Sequence, residues 1–400
     1  MANNRDKTKV LFSGIASLVL SVGIARFAYT PMLPILQSQT GLSHSAGAWL
    51  ASINYIGYFI GVMLVSSIHN IQLKDKCYRL SMILAVVATL LMASSQNLWV
   101  WGTLMLLSGI SSTGGILMSS GLVLNWLLTN RRGTKLGFHF SGIGIGIVIA
   151  ALLPEIGHNY LGWKQLYIAY GILSVVLLYP ALAWLPKPNQ TLAQNKQQNH
   201  LEKVPPASYL RTLKLGYFCA GVGYVVSATF IVAIVNSALG NNSQGYLVFI
   251  LLGAAAAPSP LIWDKLSHRF GNLNALILAF LLQTVGILLP AINSSLFTLL
   301  VSAILFGNTF IAIVSIVMTM SGHYYPSNPA KMMAKMTISY SFAQIIAPMV
   351  VALMAAHNLS YLDGLFLAGI VMIGGTLCML RLKVLEKKPT KAGCQVVNES

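Results

Sequence analysis

Runs of about twenty apolar residues recur from one end of this 400-residue chain to the other, and they decide what it can fold into. Crossing a hydrocarbon core of about 30 Å takes about 20 residues of helix. In lipid every backbone polar group must find its partner within the protein, and a helix satisfies its own. Twelve such runs are present, at residues 10–36, 46–68, 79–96, 98–128, 134–157, 163–185, 209–237, 244–263, 272–290, 295–321, 332–355 and 361–384. Only 8% of the residues are charged, against about 25% in soluble domains. That is too few to clothe a globular surface in water. The expectation is an all-α membrane protein with twelve transmembrane helices and the lipid bilayer as its main partner.

The formal net charge of +17 invites a nucleic-acid reading, which needs basic residues gathered on one soluble face. Their placement follows another rule. With the N-terminus and every even-numbered connection assigned to the cytoplasm, 23 of the 25 Lys and Arg lie there, from Arg5, Lys7 and Lys9 to Lys387, Lys388 and Lys391. This is the positive-inside asymmetry of a multi-pass protein with both termini cytoplasmic, and it accounts for the charge without nucleic acid. Lys164 falls outside and Arg26 within the membrane. The basic flank before the first apolar run looks like the start of a signal peptide. The run is too long and lacks a small-residue cleavage site, so a retained first helix is expected. Cys77, Cys219, Cys378 and Cys394 are scattered, with neither metal-ligand spacing nor a disulfide framework; no metal and no cofactor is expected.

One connection is long. "PKPNQTLAQNKQQNHLEKVPP", residues 186–206, has no apolar periodicity and carries proline at both ends, as a flexible linker does. It divides the chain into a six-helix bundle at 1–185, a cytoplasmic linker at 186–208 and a second six-helix bundle at 209–400. The halves echo each other. "IARFA" (24–28) in the first span matches "SATFI" (227–231) in the seventh, and "GWKQLYIAYG" opens the sixth as "SYLDGLFLAG" opens the twelfth. Two pseudo-symmetric six-helix repeats are the layout of the major facilitator superfamily.

More specific stretches are "GIARFAYTPMLP", "ASINYIGYFIG", "GVGYVVSATF" and "LFGNTF". Together they resemble the YbfB/YjiJ-type family of bacterial major facilitator transporters, over essentially the whole chain. The resemblance implies a secondary transporter in a bacterial inner membrane, working by alternating access, and it names no substrate. "GWKQLY" is similar to the Gly-Trp-Arg start of the superfamily's sixth span, with Lys164 in place of Arg. "PLIWDKLSHRFGNLNAL" resembles the Asp-Arg-x-Gly-Arg loop between spans eight and nine, which implies a gating latch at Asp264, Lys265 and Arg269. The first-half counterpart keeps Asp75 and Arg79 but lacks the glycines, and no latch is expected there.

Arg26 is the residue that asks for an explanation. An Arg at a helix centre costs about 2.5–3.5 kcal/mol on insertion scales, and none of the eight Asp and Glu falls in the middle of a span. It lies 17 residues past Lys9, about 25 Å along a helix, beyond easy snorkelling. Intramembrane charges mark pathways, so Arg26 is expected to face a central cavity and bind an anionic or strongly hydrogen-bonding solute. The structural alternative ties it to Glu155, or to carbonyls freed by Pro31 and Pro34. Asn54 and Tyr58 share a helix face at i, i+4; Tyr224, Thr229 and Gln344 complete the candidate substrate site. Thr229 matches Arg26 across the repeat. His139 is the proton-coupling candidate, because histidine titrates near neutral pH; the alternative is a hydrogen-bonded interfacial histidine. Gly142 and Gly146, one turn apart, let a neighbouring helix approach closely and are expected at the contact between halves. A dinucleotide reading of "GIGIG" fails because no strand precedes it.

An enzyme is not expected. "GISS" (109–112) as an intramembrane serine protease would need a histidine at its depth, and His139 lies nearer the cytoplasm. The remaining rival is a non-transporting receptor or scaffold on the same fold. Nothing in the sequence asks for a second subunit, so a monomer is expected.

Overall fold

The structure is a computed structural model that describes residues 4–68, 70–130, 137–188, 205–240, 242–324 and 329–386. Among these residues it contains helices and no strands. Ten helices are long and apolar enough to cross a membrane. They are α1 (Asp6–Thr40), α2 (His44–Ser67), α4 (Leu98–Leu127), α5 (Gly137–Gly157), α6 (Trp163–Ala183), α7 (Ala207–Leu239), α9 (Asn272–Ile292), α10 (Leu296–Ser321), α11 (Lys335–Ala356) and α12 (Tyr361–Glu386). A further crossing, α8, is a pair (Gln244–Ala256 and Ser259–Phe270) bent by 44°. The last, α3 (Ile71–Leu91), opens with Lys74, Asp75, Lys76 and Arg79, which dilute its apolar character.

These twelve helices match the twelve predicted spans, with two differences. α3 begins at Ile71 rather than 79, because Asn70 caps it by accepting from the Gln72 and Leu73 amides at 2.8 and 3.3 Å. The segment expected as a loop between spans eight and nine is helical to Phe270. The chain reverses only at Gly271, whose φ of 84° suits glycine. Most of the predicted linker (189–204), the basic loop at 131–136 and the tail at 387–400 lie outside the described residues.

Enclosure differs among the helices. The most apolar window of α7 is 94% buried and that of α1 78%, whereas that of α6 is only 33% buried. α7 and α1 therefore line the centre, and α6 presents its surface to lipid. α1 is also irregular. Val19–Phe27 is a π-helical segment of nine residues, a wider turn that recurs at functional sites.

Glycines set the spacing inside the first half. A Cβ on Gly23 of α1 would stand 2.5 Å from the Gly146 Cα of α5, and one on Gly142 would stand 3.0 Å from the Ile15 carbonyl. Gly142 and Gly146 thus pack α5 onto α1 of the same half. This corrects their expected place between the halves. Helical geometry puts Gly144 on the other side of α5, and there a Cβ would stand 2.7 Å from the Gly253 carbonyl of α8. The close approach between halves is made by the middle glycine of the run.

Candidate functional site

Arg26 lies in the last turn of the π segment of α1 and is 6% exposed. It is enclosed by side chains instead of facing an open aqueous cavity. Two tyrosines of α2 flatten it. The guanidinium carbon lies 4.5 Å from the ring centroid of Tyr55 and 4.5 Å from that of Tyr58. Residues three apart on a helix are neighbours, so the two rings clasp the cation as a pair. The aromatic quadrupole attracts such a cation and does so more strongly when water is excluded.

With two rings packed against it, the guanidinium has few directions left in which to meet a further acceptor. Nη2 donates to Gln344 Oε1 of α11 at 3.2 Å, and Nε finds no hydrogen-bond partner. The ion pairs among the described residues are Asp75–Arg79 and Asp264–His268, neither of which involves Arg26. Arg26 is not fastened to Glu155. The cost of burying this charge is offset by two tyrosines, rings and hydroxyls together, and by one amide oxygen, with no carboxylate of the described residues paired to it.

The second half faces this cation with hydroxyls and rings. Thr229 Oγ1 of α7 lies 3.0 Å from the Tyr55 hydroxyl, and Thr30 Oγ1 of α1 donates to the Ala228 carbonyl at 2.8 Å. Thr229 therefore lies across the seam from Tyr55, whose ring packs against Arg26. Tyr224 belongs to a stack: its ring lies 5.8 Å from Tyr340 and 5.3 Å from Phe310, and Tyr340 lies 4.6 Å from Tyr217. Phe27, next to Arg26, meets Tyr224 edge-on at 6.5 Å.

Of the six residues expected to bind substrate, Arg26, Tyr58, Tyr224, Thr229 and Gln344 meet at this centre. Asn54 does not join them. Its Nδ2 donates to the Met105 carbonyl of α4 at 3.0 Å. Gly109 of α4 lies against the Asn54 backbone so closely that no side chain would fit between them. Asn54 ties α2 to α4. Tyr55, Tyr340 and Phe310 join the centre without having been singled out by the sequence. Tyr55 lies three residues before Tyr58, a spacing that is visible there.

His139 sits elsewhere. It is fully buried; its Nε2 lies 2.8 Å from Ser120 Oγ, and its ring fills the space left by Gly14 of α1. It is lodged among α1, α4 and α5 of the first half. The expected latch is also differently built. Asp264 is half exposed and lies 3.6 Å from His268 of its own helix, while the Arg269 guanidinium lies 5.4 Å from the Phe270 ring. Lys265 is exposed. Among the described residues, none of the three pairs with another helix. The tie across helix ends is in the first half: Arg79 Nε donates to Asp75 at 2.9 Å, and Nη1 and Nη2 donate to the Leu182 and Leu185 carbonyls at the end of α6 at 3.0 and 3.2 Å.

From Arg26 towards the face opposite the N-terminus, polar bonds sew the halves together. Ser52 and Ser45 of α2 donate to the Ile345 and Ala352 carbonyls of α11 at 3.3 and 3.0 Å. Tyr361 of α12 accepts from Gln37 Nε2 at 3.0 Å and donates to the His44 carbonyl at 2.7 Å.

A family described as "uncharacterised MFS-type transporter YbfB" matches residues 18–380. Among curated relatives, a gentisate transporter of Corynebacterium glutamicum is 22% identical over 393 residues, covering 92% of this chain and 86% of its own. A gallate transporter of Pseudomonas putida is 28% identical over 203 residues, 48% of this chain and 42% of its own. Among solved structures, the nucleoside transporter NupG superposes with a TM-score of 0.70 at 12% identity, covering 96% of this chain and 99% of that one. A point mutant of the same transporter gives 0.69 at 13%, covering 94% and 99%. The fold is that of two pseudo-symmetric six-helix bundles, and the chain belongs to the YbfB-type family of major facilitator transporters: a multi-pass membrane transporter of a small organic solute, and not an enzyme.

Proposed function

We propose that this chain moves a small aromatic carboxylate across the bacterial inner membrane by alternating access, with Arg26 holding the carboxylate. The observation that carries this reading is the buried Arg26 guanidinium, 4.5 Å from the ring centroids of Tyr55 and Tyr58, with no carboxylate of the described residues paired to it and a buried Nε that has no hydrogen-bond partner. A carboxylate supplies two acceptors, and guanidinium–carboxylate pairs are often bidentate. The Tyr340–Tyr224–Phe310 stack beside it offers flat faces to an aryl ring, since aromatic pairs prefer offset-stacked or edge-on contact. The Tyr55–Thr229 hydroxyl pair suits ring hydroxyls. The names of the two curated relatives, for gentisate and gallate, support this class: both solutes are hydroxylated benzoates.

In this reading the halves are residues 1–185 and 209–400, joined by a linker at 186–208, and one monomer suffices. The distribution of Lys and Arg supports cytoplasmic termini. Reporter fusions at Asn189 and after Glu399 then score cytoplasmic, and one at Asn242 periplasmic; the opposite result at Asn242 overturns the orientation.

The deciding experiment uses purified protein and gentisate. Ligand that binds the folded state raises the melting temperature, so gentisate is expected to raise it in the wild type and proteoliposomes to take gentisate up. Arg26→Lys keeps the charge but loses the planar fork, and binding should weaken about tenfold or more. Arg26→Gln should abolish binding while the protein stays folded, because an underpaired charge leaves the interior. An Arg26→Gln protein that melts lower yet binds gentisate normally refutes the site. Binding without any flux would make the chain a receptor.

A further inference from the structure

Arg26 and Gln344 belong to different halves, and each sits where its helix ladder is loosened. Arg26 lies in the last turn of the π segment of α1. Pro31, which has no N–H, leaves the Phe27 carbonyl without its usual donor. Pro348 lies inside α11, four residues after Gln344, so the Gln344 carbonyl loses its donor in the same way. Helices bend at such positions.

The bond that joins these two turns is an unequal one. Gln344 is 2% exposed, and its neutral Oε1 serves a buried cation at 3.2 Å. A carboxylate in its place would make shorter, charge-assisted bonds about twice as strong. We infer that Gln344 stands in for the substrate's carboxylate: in the closed arrangement it holds the acceptor position on Arg26, and an arriving organic anion takes that position from it, releasing α1 from α11. The inference rests on Arg26 as the anion anchor. Gln344 is then a positioning residue with two effects. It lowers apparent affinity, because binding is reduced by the fraction of protein in which the position is free. It also couples binding to motion, because the displaced bond is one of those joining the halves, beside Ser52 and the Ile345 carbonyl.

Three variants test this. Gln344→Glu supplies an internal carboxylate: the melting temperature should rise by about 2–4 °C, the rise should vanish in an Arg26→Gln background, and gentisate affinity should fall at least about tenfold. Gln344→Leu keeps the volume without the acceptor, and gentisate should bind about tenfold more tightly. An equal change in melting temperature for Gln344→Glu in both backgrounds overturns the inference. So does a Gln344→Leu protein that binds gentisate no better than wild type. If the wild type does not bind gentisate, the aromatic-acid reading fails on its own. The melting comparison needs no ligand and still decides the role of Gln344.

Discussion

Each half carries an acidic residue with a base four positions later near the face of the N-terminus, and the two pairs have opposite fates. In the first half Asp75 is 5% exposed, and Arg79 reaches past it to the end of α6. In the second, Asp264 and His268 have side chains 54% and 79% exposed and are an ion pair only while His268 is protonated. The reason lies in what stands opposite. α6 stops at Ala183, and the carbonyls of a last helical turn have no intrahelical donors. Arg79 satisfies two carbonyls there and puts a cation at the negative end of the helix dipole. By the "GWKQLY"/"SYLDGL" match, the positions equivalent to Leu182 and Leu185 are Leu380 and Lys383. Both lie within α12, which runs on to Glu386. Helix length, more than the loop motif, decides where a base finds acceptors.

That contrast can be tested by substitution. The largest effect is expected for Asp75→Asn, which strands Arg79 against a neutral partner: about 2–3 kcal/mol of stability should be lost, less than for a fully buried pair because Arg79 is partly exposed. A thermal melt showing no loss would mean that the carbonyls of α6 hold Arg79 without help. Next comes Arg79→Lys, which keeps the charge but cannot span the carboxylate and two carbonyls together. A loss of about 1–2 kcal/mol is expected, and hydrogen exchange should speed up in the last turn of α6. Protection unchanged there would sink the capping account. The smallest effect is expected for Asp264→Asn, within about 0.5 kcal/mol. A melt displaced as far as that of Asp75→Asn would show that the second pair is sealed in another state of the protein.

The lengths and number of the helices were legible in the sequence because lipid leaves the backbone little choice. The convergence of Arg26, Tyr58, Tyr224, Thr229 and Gln344 was also legible, from depth, repeat symmetry and the scarcity of acids. What the sequence could not decide was side. On a helix Tyr58 lies between Asn54 and Tyr55, about 40° from one and 60° from the other, so either could share its face with Arg26. The choice is made by α4, where Gly109 admits the Asn54 backbone and takes that face away from the centre. The glycines of α5 pose the same problem. Spacing shows that Gly142 and Gly146 share a face, and only packing shows that the face belongs to α1. The tie at Arg79 was missed because its acceptors are backbone carbonyls, which every residue has and no motif records.

The ring stack described at the centre makes the site its own optical probe. Tyr217, Tyr340, Tyr224 and Phe310 lie in series at 4.6, 5.8 and 5.3 Å between centroids, close enough for their near-ultraviolet transitions to couple and acquire rotational strength. The seven tryptophans, at 49, 99, 101, 126, 163, 184 and 263, stand elsewhere in the chain. An aryl solute that enters the stack would interrupt the series and change tyrosine ellipticity, while the tryptophan bands stay as they are. Occupancy of the stack could then be followed without a label, on the unmodified protein.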